Sequence, residues 1–407
     1  MALTENILKQ IATLEAETGI KRTLFAVCPN STSVIKAAFR AAKRNNAPIK
    51  FAATLNQVDG DGGYTGLTQR EFIKLLTIEA DAVNYNGPYI AAIDHGGPWL
   101  KDVQSIERWD TERAMNGVKK SFEDAILAGY HLIHVDPTVD IFLPKGEIID
   151  IKVVAARTVE LMVHAELFRR KNNIPPISYE VGTEEVHGGL ADEAVFDTFI
   201  VELKKGLKDA GLKDVWPCFI VGKVGTDLHT TTFDKEVALQ LTQKVKQFGS
   251  YIKGHYTDGV TNPEDYPLCG MGAANVGPEF TMSEYDALVE LEEKEIQLSN
   301  GIAQLSNIKN TLWRLVYDSN RWKKWLQEDE QGKDFGQLTE DRKNWLVKTG
   351  CRYIWQHPEA VVARYKLYEN LKRHGIDAES VVLGKIEHDM DKYFYAFNLV
   401  NLNSLLK

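Results

Sequence analysis

The chain has 407 residues, of which 44% are hydrophobic and 26% charged, and a formal net charge of -9. That length exceeds one typical domain but suits a single α/β barrel with an extension, and the acidic balance argues against a dedicated nucleic-acid binder. The four cysteines (Cys28, Cys218, Cys269, Cys351) lie far apart with no CxxC pair. Neither a disulfide framework nor a zinc knuckle is expected, so a reducing cytoplasm is the natural setting. The start of the chain reads as a short amphipathic helix rather than a signal peptide. No apolar run approaches the roughly 20 residues that span a bilayer. A soluble protein with no membrane partner is expected.

Eight strand-like apolar runs follow one another: 24–28, 49–55, 89–94, 132–136, 177–181, 218–221, 251–254 and 271–276. Short apolar runs bounded by Gly and Pro read as buried parallel strands. Between them, segments such as 109–128, 151–171, 193–210 and 232–248 carry apolar residues at helical spacing. Repeated strand–helix alternation predicts a (β/α)8 TIM barrel over residues 1–300. From about residue 300 the texture changes, with Trp313, Trp322, Trp325, Trp345 and Trp355 among charged residues. Residues 301–407 are expected to form an α-helical C-terminal extension, packed on the barrel or on a second subunit. Its tryptophans suit packing better than a ligand platform.

Nearly all the polar residues follow strands instead of preceding them, and α/β proteins place their sites at the carboxyl ends of strands. The third run ends in Asp94-His95-Gly-Gly-Pro98 and the fifth runs through Glu180 to Glu184 and Glu185. His229 follows the sixth run and His255 the seventh. Three imidazoles with a carboxylate could hold a divalent ion such as Zn2+ with a position left for substrate; hydrogen-bonded structural histidines are the plainer alternative. Asp94 suits a general acid or base, with Asp136 and Glu185 as similar candidates; an acceptor orienting a histidine is its other reading. His187 is a weaker ligand candidate. The glycine-rich loop 59–66 reads as a turn or as a backbone cradle for phosphate. Lys223 reads as an anion partner or as a solvated lysine. Asn30, Asn56, Gln57, Glu180, Thr257, Asp258 and Asn275 are the expected substrate-binding residues.

The order of Asn56-Gln57, Gly62-Gly-Tyr-Thr-Gly66, Asp94-His95-x-Gly-Pro98, Ile133-His-x-Asp136, Tyr179-Glu-x-Gly-Thr-Glu184, Asp227-x-His229, His255-x-Thr-Asp258 and Val276-Gly-Pro278 resembles the tagatose-bisphosphate aldolase "non-catalytic subunit" family. That family is related to class II ketose-bisphosphate aldolases, which are zinc-dependent barrels. The resemblance implies that His95, His229 and His255, with Glu184 or Glu180, occupy the metal position. It also implies that Asp94 is the acid/base. The seventh-strand turn that grips phosphate in those aldolases is here His255-Tyr-Thr-Asp258, and Glu279 would repel a nearby phosphate. Both departures count against a bisphosphate.

Relatives of the family include ketose 4-epimerases. The C4 proton of a 2-ketose is not acidic, so inversion there without a redox cofactor requires the C3–C4 bond to break and re-form. The expected function is a metal-dependent aldol/retro-aldol reaction on a sugar or sugar phosphate of the tagatose/fructose type, with C4 epimerisation preferred. The alternatives are a tagatose-bisphosphate aldolase or its accessory, non-catalytic subunit. The expected assembly is a homo-oligomer or a pairing with an aldolase partner subunit.

Overall fold

In the computed structural model all eight apolar runs form strands. They are β1 (Leu24–Val27), β2 (Ile49–Thr54), β3 (Tyr89–Gly96), β4 (Leu132–Val135), β5 (Ser178–Gly182), β6 (Phe219–Val221), β7 (Tyr251–Gly254) and β8 (Ala273–Val276). Neighbours pair in parallel and in chain order, and β8 pairs with β1 to close the barrel. The structure describes residues 1–144, 146–182, 193–227, 229–298, 300 and 304–407. The strands read as largely apolar runs because helices cover their outer face while packed side chains fill most of the interior.

The expected helices lie at Thr111–Ala128, Ile151–Lys171, Glu193–Asp209 and Lys235–Lys246. Their starts are set locally. Side chains of Ser31, Thr68, Asp110, Asp150 and Asp234 each accept a first-turn backbone N–H, satisfying donors that a helix leaves unpaired. No helix among the described residues is long and apolar enough to cross a membrane.

The C-terminal region contains helices Ile308–Ser319, Glu340–Gly350, Pro358–Lys372 and Ala378–Ala396. The last of these packs on the barrel helices Thr32–Asn45 and Pro278–Gln297. Phe25 of β1 stacks on Tyr393 at 5.3 Å and meets Phe394 edge-on at 5.2 Å. One apolar core therefore runs from the barrel into the extension. Trp322 and Trp355 are buried within it, as expected for packing residues. Trp325 instead faces the barrel mouth, because segments 321–325 and 351–353 pass over the carboxyl ends of the strands.

Candidate active site

A lysine inside a buried parallel strand must find a counter-charge. Lys50 on β2 and Lys253 on β7 both do, and neither is more than 1% exposed. Lys253 Nζ donates to Glu180 Oε1 at 2.5 Å and to Asp94 Oδ1 at 2.9 Å, while Lys50 Nζ donates to Glu180 Oε2 at 3.2 Å. Burial alone would raise both carboxyls. The cations outweigh it, so Lys253 and the histidines hold Asp94, and the two lysines hold Glu180, well below the usual carboxylate range. Burial lowers Lys50, whereas Asp94 and Glu180 together overcome burial and raise Lys253. Lys253 is the firm cation of the floor.

Strict alternation along β3 would turn His95 away from the face that Asp94 occupies. Instead the strand breaks register between Ile93 and Gly96, and His95 takes a φ of 50°, a left-handed backbone that is uncommon outside glycine. Both side chains therefore line the same pocket. At Gly97 an added Cβ would stand 1.7 Å from the carbonyl oxygen of Asp136, so only glycine lets the turn after β3 close on the end of β4. That closure brings His95 Nδ1 to 2.6 Å from Asp136 Oδ2, and Thr138 Oγ1 donates to the other Asp136 oxygen at 2.6 Å. The carboxylate favours the proton on Nδ1 and leaves Nε2 as the exchanging atom. Burial and His255 pull the His95 imidazole down, but Asp94 and Asp136 prevail and raise it above the usual histidine range.

His134, on β4 beside Glu180 in register, accepts the His95 backbone N–H at Nδ1 (3.1 Å). Its Nε2 is buried with no hydrogen-bond partner. His255 Nε2 lies 3.5 Å from Asp94 Oδ1, with its ring 4.4 Å from that of His95. Asp94, His134, Glu180 and His255 each bring a ligand atom within 4.8 Å of the others. Two imidazoles and two carboxylates are a suitable donor set for a divalent ion, so this group could hold a metal. The His134 atom nearest the two carboxylates is Nδ1, 3.5 Å from Asp94 Oδ1 and 3.3 Å from Glu180 Oε1. Charge sets one condition, because the carboxylates are already compensated by Lys253 and Lys50, and an entering ion must share or displace the Lys253 ammonium.

The structure places the remaining sequence candidates as follows. Asn275 Nδ2 donates to Asp94 Oδ2 at 3.0 Å, leaving its buried Oδ1 unpartnered. Asn30 Oδ1 accepts from Gln57 and from the Tyr64 hydroxyl, and its Nδ2 is unpartnered. Asn56 also lines the pocket, but its amide is bonded to the backbone at Leu100 and Asp102. Asp258 lines the rim, whereas Thr257 is buried beneath it and does not line the pocket. Glu184, Glu185 and His187 lie outside the described residues.

His229 requires a correction of place. It is exposed, with its ring 5.1 Å from Trp345, because the loop after β6 carries it outward to the C-terminal region. The four-residue group holds His134 and Asp94 in place of His229 and His95, with Glu180 as the β5 acid, while His95 falls in a second group with His134 and Asp136. Lys223 is exposed and outside the pocket. In the loop 59–66, the N–H of Gly62 donates to the Asp59 carbonyl, those of Tyr64 and Thr65 to the carbonyls of Asn56 and Gln57 just before the loop, and that of Gly63 to Asp61 Oδ1. The loop is a closed turn that presents Tyr64, not a phosphate cradle.

Sequence reasoning passed over Lys50, Lys253 and His134, and also Arg321, Lys324, Trp325, Arg352 and Tyr353 at the mouth. The first three carried a signal, since a charged or imidazole side chain in the middle of a buried parallel strand is rarely accidental. The last five come from distant helical segments, where no local pattern marks a residue as facing the barrel. The five mouth residues, with Asp94, His95, Asp136, His255 and Asn275 from the strand ends, line a cavity of about 320 Å3, within the roughly 300–1,000 Å3 of small-ligand sites; Lys50, Lys253 and His134 lie beneath it. A groove of about 640 Å3 at the opposite end, between residues 84–88 and 403–407, is lined by a mixture of amide and apolar side chains and holds none of this chemistry.

Among solved structures, a probable tagatose 6 phosphate kinase from Sinorhizobium meliloti 1021 is similar at a TM-score of 0.75 and 21% identity, over 92% of this chain and 100% of that one. The fructose-bisphosphate aldolase of Campylobacter jejuni is similar at a TM-score of 0.58 and 12% identity, over 98% of this chain and 95% of that one. At such identities the likeness is one of fold. The sequence itself carries the assignment: matched over residues 8–383, the chain belongs to the D-tagatose-1,6-bisphosphate aldolase subunit GatZ/KbaZ-like family.

Proposed function

We propose that the chain is an enzyme of the aldol/retro-aldol type acting on a ketose or ketose phosphate, with inversion at C4 as its net outcome. The observation that carries this reading is the His95–Asp136 pair, 2.6 Å apart and open to an enclosed pocket above a charged floor. In this reading His95 Nε2 takes the proton of the C4 hydroxyl, and Asp136 holds the ring in place and balances the imidazolium. The C3–C4 bond breaks, its electron pair becomes the enediolate over C2 and C3, and C4 leaves as an aldehyde. The unpartnered Asn30 Nδ2 and Asn275 Oδ1 bind sugar hydroxyls. The aldehyde turns, C3 attacks its other face, and His95 returns the proton to the new C4 oxygen.

Proton transfer is assigned to His95 and not to Asp94, because both Asp94 oxygens already accept hydrogen bonds, from Lys253 and Asn275. Asp94 and Glu180 fix the position of positive charge beneath the substrate. A divalent ion held by Asp94, His134, Glu180 and His255, with Zn2+ preferred, would supply Lewis-acid polarisation of the C2 carbonyl. Segments 321–325 and 351–353 roof the pocket, which suits retention of the aldehyde and so favours epimerisation over release. An accessory subunit without chemistry has no need of so many buried charges, each costly to bury.

The test is carbon-13 NMR of the purified chain with fructose, tagatose and their phosphates, with and without added Zn2+. A C4 epimer, lost in His95→Ala with the fold intact, is the expected result. Released triose would indicate the aldolase, and inertness on every ketose would overturn the enzymatic reading in favour of the accessory one.

A further inference from the structure

Barrels of this kind commonly hold a substrate phosphate at backbone N–H groups near the last two strands and the N-terminus of a following helix. Here that place is filled by the chain itself. The N–H groups of Gly277 and Glu279, at the start of helix Pro278–Gln297, donate to Asp258 Oδ1 at 2.9 and 2.8 Å. The Glu279 carboxylate accepts the Gly259 N–H at 2.6 Å and the Tyr393 hydroxyl. A phosphate arriving there would meet two carboxylates.

Cationic groups line the same mouth. Arg352 is only 7% exposed, yet its Nε and Nη2 have no hydrogen-bond partner. Its guanidinium packs 4.5 Å from the Trp325 ring centre and 5.0 Å from that of Tyr353, so the plane is held by aromatic contact while two of its nitrogens have no hydrogen-bond partner among the described residues. A buried guanidinium in this state is costly unless a ligand supplies acceptors. Arg321 and Lys324 line the same pocket and share one carboxylate, Asp102. Three cations thus gather at the mouth of a chain whose net charge is -9. The mouth is continuous with the strand-end residues, because Arg352, Arg321 and Lys324 line the same pocket as Asp94 and His95.

We propose that Arg352, flanked by Arg321 and Lys324, is the anion subsite that binds the phosphate of a ketose phosphate whose reacting carbons lie over His95. The adjacent Nε–H and Nη2–H match the paired oxygens of a phosphate, and three cations suit a dianion better than a carboxylate. The inference rests on the pocket being the substrate site of the proposed reaction. Its test is a binding measurement, which can fail or succeed whatever the turnover.

Inorganic phosphate is titrated calorimetrically into the full-length protein, then into Arg352→Gln and into the rim double variant Arg321→Gln/Lys324→Gln, with circular dichroism as a check on folding. The wild type is expected to bind phosphate at millimolar concentration or better, and fructose 6-phosphate more tightly than fructose. Arg352→Gln is expected to weaken phosphate binding by about tenfold to a hundredfold, as loss of charged hydrogen bonds does. The double variant is expected to weaken it several-fold, and it carries the test alone if Arg352→Gln does not fold. Equal phosphate affinity in wild type and folded variants, or no binding by the wild type, would overturn the assignment.

Discussion

Lys253 Nζ lies 2.5 Å from Glu180 Oε1 with both side chains fully buried, and the same ammonium reaches Asp94 at 2.9 Å. One protein cation therefore sits between the two carboxylates that a divalent ion would use. Lys253→Met is expected to leave those carboxylates under-compensated and to lower stability by roughly 3–5 kcal/mol, the usual result of removing one partner of a buried pair. The same variant should bind Zn2+ or Mn2+ more tightly than wild type, because its donors have lost a competitor. Urea denaturation with and without metal, together with metal titration, checks both halves. A variant no tighter for metal would show that Lys253 and the ion do not compete.

Gly97 decides whether His95 and Asp136 can meet. With an added Cβ 1.7 Å from the Asp136 carbonyl oxygen, Gly97→Ala must push the turn after β3 away from the end of β4. The expected cost is about 1–3 kcal/mol of stability, accompanied by loss of most of the turnover because the 2.6 Å bond opens. Asp136→Asn should lower kcat by about 10²-fold or more without such a packing cost. Unchanged turnover in both variants would remove the pair from the mechanism.

The carboxyl group of Asp258 is pushed up to about 6 from its ordinary 3.8, chiefly by burial and then by Glu279, against the N–H groups it accepts. The folded chain therefore keeps this proton to higher pH than the unfolded chain does. Between about pH 4 and 6 the unfolded state has already lost it, so stability falls as pH rises through that window. The contribution is at most roughly 3 kcal/mol. Asp258→Asn is expected to flatten this part of the profile, read as the urea midpoint at pH 4.5 and pH 7.5. An unchanged slope would place the titration elsewhere.

The barrel was legible because its strands are short, mainly apolar runs and its helices carry their own caps. Strand-end logic found Asp94, His95, Asp136, His255 and Asn275, whose positions follow from where each strand stops. It placed His229 wrongly, since a long loop after β6 severs the link between sequence position and direction. It passed over Lys50 and Lys253 because their importance lies in the pairing of β2 and β7 with Glu180 across the barrel, a relation no local pattern records. Arg352 was invisible for the same reason at greater range, being brought to the mouth by the packing of segment 351–353 on helices Pro278–Gln297, Ile308–Ser319 and Glu340–Gly350.

The floor and roof of the pocket have different origins in the chain: the floor is built from barrel strands, the roof from segments 321–325 and 351–353. On the proposed reaction, substitutions in the roof would retune which sugar, or which charged end of it, is admitted while the His95–Asp136 pair stays untouched. Substitutions in the floor alter the reaction itself and draw the barrel's stability down with it. Selection thus has a separable handle on specificity, and an engineer seeking a new ketose would begin with the roof.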